Sequence, residues 1–284
     1  MLLQHIALLS TLPAIGASEL ARVGAALQKQ VTRDLAPLWG VAATVDVFPT
    51  FEDVPVGYWP LIVVDDAPEP GLHKDFNHQP IAYVIGGRTW SLAASHEVIE
   101  MLIDPTGDRS VAGDAPIPGG GRVDFLVEAC DPCQDAAFAY TVNGELVSDF
   151  CTQAYFDPVA APSVRYSYCG TITKPHQVLK GGYLTWREPV SQHWIQLRNN
   201  RGKLTAHDLG PMAAGPLALR TMIDAMTPEK RNLSSLPVAT PRVATARKTA
   251  RALQEGPAIA QATQWRRLTE RITRVPRAGG RTRG

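Results

Sequence analysis

His96-Glu97-Val98-Ile99-Glu100 is the stretch whose residue types and spacing can do chemistry. Side chains four apart on a helix share a face, so the His96 imidazole and the Glu100 carboxylate can converge on one point. A cation there would have Glu97 one position round the helix, within reach of a bound water. This is the geometry of the H-E-x-x-H metalloprotease helix with glutamate in place of the second histidine. Metal-assisted hydrolysis is the chemistry such a set suggests, and it needs about three protein ligands and one open position.

The third ligand must come from another segment. Glu128-Ala129-Cys130-Asp131-Pro132-Cys133 offers two carboxylates and two thiols directly after a Gly/Pro-rich loop. Glu128 is the first choice and Asp131 the second, with the unused one free to orient His96 or Glu100. Asp104, at the end of the helix, is a further candidate for that orienting role. One histidine with two carboxylates makes the site formally neutral around Zn²⁺. It also broadens metal preference towards Mn²⁺, Fe²⁺ or Ca²⁺. Val98, Ile99, Leu102 and Ile103 make the helix apolar, and buried charges must be paired or ligate metal.

These residues must be positioned by the elements around them. Hydropathy patterning predicts a strand over 4–10, a helix over 18–38, and strands over 43–48, 59–64 and 81–85, followed by the His96 helix. The order is β-α-β-β-β-α. Residues 104–123 read as an irregular loop. Strands follow over 125–130, 137–142 and 145–150, the last two joined by a tight turn at Asn143-Gly144, with an aromatic hairpin over 183–186 and 193–197. His73 and His78 fall in a loop and read as solvent-exposed. A helix is predicted over 213–226, and transient helix over 242–254 and 262–274.

Together, Ser95-His96-Glu97-x-x-Glu100-x-x-x-Asp104-Pro105 and Glu128-x-x-Asp131-x-Cys133 resemble a set of microbial and phage-borne proteins regarded as zincin-like metallopeptidases. The resemblance covers residues 4–160 and includes the β-α-β-β-β-α order. It implies a zinc site with His96 and Glu100 as ligands and Glu97 as general base. It also implies an edge strand before the active-site helix that binds extended peptide. Residues 81–85 would take that place, making Ile81, Tyr83 and Ile85 the substrate-binding positions.

The expected fold is therefore α+β, with three parts. Residues 1–125 form a zincin-like core, a mixed sheet with two helices of which the second carries HExxE. Residues 126–204 form a β-rich part of the same catalytic domain, and residues 205–284 a basic, largely flexible tail. Residues 229–284 carry 13 Lys/Arg against three acids, whereas the remaining chain carries 15 against 24. An acidic body with an Arg-rich tail suggests docking onto an acidic partner, the protein's own body or nucleic acid. The preferred partner is a peptide or protein substrate. Rival readings are a metal-stabilised structural component of a phage-like particle and a nucleic-acid-binding protein.

No run of about 18 apolar residues suggests a membrane span. The opening residues lack a basic start and read as a strand rather than an export signal. Four cysteines in 284 residues are too few for a disulfide scaffold. A cytoplasmic or, if phage-borne, virion-associated protein is expected. Cys130-x-x-Cys133 with Cys151 and Cys169 gives a weak signal for a structural zinc site or for redox chemistry. Cys151 and Cys169 read as buried small residues.

Overall fold

A computed structural model describes residues 3–67, 70–76, 79–212, 219, 222, 223 and 255–273. The described residues are mixed α and β, with two five-stranded sheets and a small hairpin. The first sheet is built from β1 (Gln4–Ser10), β2 (Ala43–Val47), β3 (Trp59–Val64), β4 (Gly71–Phe76) and β5 (Gln79–Ile85), in the order β2-β1-β3-β5-β4. All neighbours are parallel except β4, which runs antiparallel to β5 at the sheet edge. Helix α1 (Ala17–Lys29) crosses from β1 to β2, passing through a π-helical segment (Gln30–Leu35) into a last turn, α2 (Ala36–Trp39), closed by left-handed Gly40.

Strand side chains alternate between faces. Ile6, Leu8, Leu61, Val63, Ala82 and Val84 therefore pack towards α1 and towards helix α3 (Trp90–Ile103). Ala7, Leu9, Ile62, Val64, Ile81 and Tyr83 fill a second cluster on the opposite face. Burial on both faces explains why β1 and β3 read as nearly continuous apolar runs.

The second sheet, in the order β12-β11-β10-β7-β6, is antiparallel throughout. Its strands are β6 (Ser110–Asp114), β7 (Arg122–Leu126), β10 (Tyr183–Arg187), β11 (His193–Asn200) and β12 (Lys203–Pro211). Val123, Phe125, Leu184 and Trp186 join the core beneath α3. The hairpin β8 (Tyr140–Val142) and β9 (Glu145–Val147) turns at Asn143-Gly144, both with positive φ, as the sequence predicts.

Four expectations are corrected. Residues 81–85 are not an edge: β5 lies between β3 and β4, because 71–76, read as loop, pairs along its other side. The 104–123 loop contains β6, and the stretch read as strand to residue 130 ends at Leu126. A flexible segment from 205 does not hold where the chain is described, since β12 extends to Pro211. Helix α4 (Glu255–Thr273) lies on the outer face of the first sheet. Its Ala262, Trp265, Leu268 and Ile272 form a helical stripe, and Trp265 is almost wholly buried beside Phe51. Arg266 pairs with Glu52 and stacks over Phe51, so part of the tail's positive charge is spent on the acidic body. Of the other predicted helices, 242–254 lies outside the described residues, as does most of 213–226. Among the described residues, no helix is long and apolar enough to cross a membrane.

Candidate metal centre

Helix α3 is buried on nearly every side, which its apolar sequence anticipates. Three devices fix it. Ser91 donates to the Leu146 carbonyl (2.8 Å), and Ser95 accepts from the Ser148 amide (2.6 Å), tying the helix to the β8–β9 hairpin. At its C-terminus Asp104 accepts from the amides of Asp108 (3.1 Å) and Arg109 (2.9 Å), while the Arg109 guanidinium donates to the Ile103 carbonyl (2.8 Å). Arg109 thus satisfies one of the terminal carbonyls that would otherwise lack a partner, and Asp104 satisfies two amides of the following loop. Both Asp104 oxygens are turned to the loop, which makes it a helix stop rather than an orienting group for His96 or Glu100.

Facing β4 and the turn after β7, α3 presents His96, Glu97 and Glu100. His96 Nε2 lies 3.1 Å from Glu100 Oε2 and 3.3 Å from Asp131 Oδ1. One Glu100 oxygen, Oε1, accepts from the Cys130 amide at 3.1 Å, which leaves Oε2 facing the imidazole. Ligand atoms of Glu100, Glu128 and Asp131 all lie within 4.8 Å of one another. The helix and the Glu128–Asp131 segment therefore do come together. Asp131, the second choice from sequence, is the carboxylate at His96, and Glu128 lies beside it. Cys130, whose thiol faces the His96 carbonyl (3.8 Å), forms another close group with His96 and Glu100. Burial, with Glu100 nearby, holds that thiol well above its usual pKa.

The turn carrying Asp131 is itself held. Leu179 donates to the Pro132 carbonyl (2.9 Å). Gly182 passes so close that a Cβ there would meet the Pro132 and Asp131 carbonyl oxygens at 2.5 and 2.7 Å. Only a glycine permits that approach.

The expectation that His73 is an exposed loop residue is overturned, while His78 lies outside the described residues. His73 sits on β4, 2% exposed, with Nδ1 at 3.4 Å from Glu97 Oε2 and 3.8 Å from Glu100 Oε2. The register that sets His73 opposite Ala82 turns it to the α3 face. Two residues earlier, a Cβ on Gly71 would meet Glu97 Oε1 at 2.4 Å, so glycine leaves the space that Glu97 fills. The available signal was the alternation of Leu72, Lys74 and Phe76 around it, which places His73 and Asp75 on one face. The expected substrate positions behave differently. Ile81 and Tyr83 point to the opposite face and are buried against the cluster under α4, with Ile85 packed at its margin.

The electrostatics follow from this crowding. Glu97, Glu100, Glu128 and Asp131 are all at most 5% exposed. Burial works against protonating His96, but Glu100, Asp131 and Glu97 outweigh it and hold the imidazole well above its ordinary pKa. By formal count the four carboxylates outnumber the two imidazoles two to one. Such a set can bind a divalent cation, because donors on an ion with ligand bonds of about 2.0–2.2 Å lie roughly 2.8–3.6 Å apart, from adjacent octahedral to tetrahedral positions. The 3.1 and 3.3 Å separations at His96 fall in that range. The three nearby cysteines, Cys130, Cys133 and Cys151, are buried free thiols, whereas Cys169, expected buried, is exposed. No protein-family model matches the chain, and neither a curated protein nor a solved structure matches it.

Proposed function

We propose that this protein is a zincin-like, metal-dependent hydrolase acting on peptides, with His96, Glu100 and Asp131 holding a divalent cation and Glu128 adjoining them. One observation carries the reading: the imidazole of α3 lies within 3.1 and 3.3 Å of carboxylate oxygens from its own helix and from the turn after β7. The donor set suits Zn²⁺ and, being oxygen-rich, Mn²⁺ or Fe²⁺ as well.

A cation held there supplies Lewis acidity for a scissile carbonyl and acidifies water. Glu97 then works as the proton carrier. Its Oε2 takes a proton from the attacking water and releases it to the leaving amine. Gly71 and His73 bracket its carboxylate and fix where that proton is held. β4, the antiparallel outermost strand beside α3, supports a peptide substrate, because its outer backbone edge can pair with an extended chain. This moves the substrate-binding edge from residues 81–85 to residues 71–76.

Elemental analysis of purified protein tests the cation. Wild type is expected to carry it, whereas His96→Ala and Asp131→Ala lose it. Glu97→Gln should abolish peptide hydrolysis while the cation at His96 stays. A wild type with no bound metal after zinc loading would sink the proposal.

A second reading has one observation in its favour. The ligands are almost closed to solvent, His96 being the most open at 13% of its side chain, and closed sites are typically structural. In that case Glu97→Gln changes neither stability nor any activity.

A further inference from the structure

The anionic cluster extends beyond the three ligands of the proposed cation. His73, Glu97 and Glu100 form a distinct triad whose ligand atoms all lie within 4.8 Å of one another. His73 Nδ1 stands 3.4 Å from Glu97 Oε2 and 3.8 Å from Glu100 Oε2. That second oxygen is the one that also lies 3.1 Å from His96 Nε2. Glu100 Oε2 is therefore common to two donor sets, one reaching Asp131 and the other reaching β4.

We propose that His73, Glu97 and Glu100 form a second divalent-cation position, bridged to the first through Glu100, and that filling it switches the site off. The inference rests on the reading of the first position given above. Its physical basis is charge and geometry together. One divalent ion halves the formal charge of the four carboxylates and a second cancels it, in a cluster where every member is buried or nearly so. His73 is not a loop residue that swings in. It is fixed in the β4–β5 ladder opposite Ala82 and is 2% exposed. A mixed imidazole and carboxylate set suits Zn²⁺ or Mn²⁺.

The second ion would engage the Glu97 carboxylate that carries the proton in the proposed reaction. An ion there removes that base, so excess metal inhibits. The second position lacks Asp131 and Glu128 and shares its bridging ligand, so it is the weaker of the two.

The test uses the full chain and the metal alone. Zinc chloride is titrated against a competing chromophoric chelator and bound metal is counted by elemental analysis. Wild type is expected to bind two ions per chain in separable steps. His73→Ala and His73→Leu should each bind one, with affinity at the second step reduced at least tenfold. Glu97→Gln, which preserves shape, should also weaken the second step while the first stays. Circular dichroism melts establish that each variant is folded. Mn²⁺-loaded wild type should give an exchange-coupled electron paramagnetic resonance spectrum, and the His73 variants an isolated-ion spectrum. A folded wild type that saturates at one ion, matched by the His73 variants, overturns the second position and leaves the first standing. Two ions in the His73 variants also overturn it. No binding at any zinc concentration removes both readings.

Discussion

Two buried acidic sites in this molecule are built on opposite principles. Asp34, in the π-helical segment after α1, is 2% exposed yet surrounded by donors. The Arg33 guanidinium reaches both its oxygens (2.5 and 2.8 Å), and the hydroxyls of Tyr140 and Tyr168 each donate at 2.8 Å. Burial pushes its carboxyl up, but these donors outweigh burial and leave its pKa below the usual value. Around Glu100 the neighbours are instead carboxylates and imidazoles, and protons are drawn onto His96. A structural carboxylate recruits its counter-charge from the chain. A cluster that concentrates carboxylates calls for counter-charge from solution, as proton or metal ion.

Breaking the second site should give the largest effect. Structural zinc sites are worth roughly 10–16 kcal/mol over about four ligands, so one ligand accounts for about 2.5–4 kcal/mol. Glu100→Ala is therefore expected to lower metal affinity on the order of 100- to 1000-fold, measured by chelator competition.

Breaking the first site should cost stability instead. Asp34→Asn removes the charge and replaces one of the two acceptor oxygens by a donor amide, leaving one tyrosine hydroxyl and one Arg33 N–H without an acceptor, at about 2 kcal/mol in urea denaturation, with metal content unchanged. The pH dependence has a definite sign. A carboxyl whose folded pKa lies below its unfolded value stabilises above the ordinary value of about 3.9. That contribution is lost as pH falls from there through the lower folded value. Wild type should lose this increment in acid and Asp34→Asn should not, which comparative denaturation between pH 2 and 5 would reveal. Equal acid slopes in the two proteins would contradict the role given to Asp34.

The smallest effect sharpens the comparison. Gly182→Ala forces the Asp131–Pro132 carbonyls to move while leaving the identity of every ligand unchanged. About tenfold weaker metal binding, 1.4 kcal/mol, with the Asp34 site and its acid slope untouched, would show that the turn's position tunes the centre.

How much of this was legible in the sequence depends on range. The helix carrying His96 and Glu100 could be read because its apolar period and its Asp104-Pro105 stop are local. The Asn143-Gly144 hairpin could be read because its turn needs positive φ. Glu128 and Asp131 were legible as candidates, but their order depends on the turn held by Gly182 and Leu179, some 50 residues downstream. β4 was hidden because Gly71-Leu72-His73-Lys74-Asp75-Phe76 is polar, as an edge strand tends to be. Only pairing with β5 reveals it. Helix α4 did show its stripe of Ala262, Trp265, Leu268 and Ile272. Arginine-rich surroundings concealed that the stripe has a sheet face to cover.

The pairing of His73 with Ala82 also governs which changes of chain length the protein can accept. Sliding β4 by a single residue would bring Leu72 or Lys74 to the α3 side and send the imidazole under α4. A one-residue insertion or deletion between β4 and β5, where Phe76 pairs with Gln79, would thus act like a mutation of His73 without altering that residue. A two-residue change would keep the facing but shift His73 along α3 by about 7 Å, roughly twice the 3.3 Å rise per strand residue. The spacing between β4 and β5 is thereby tied to which side chain of β4 meets α3.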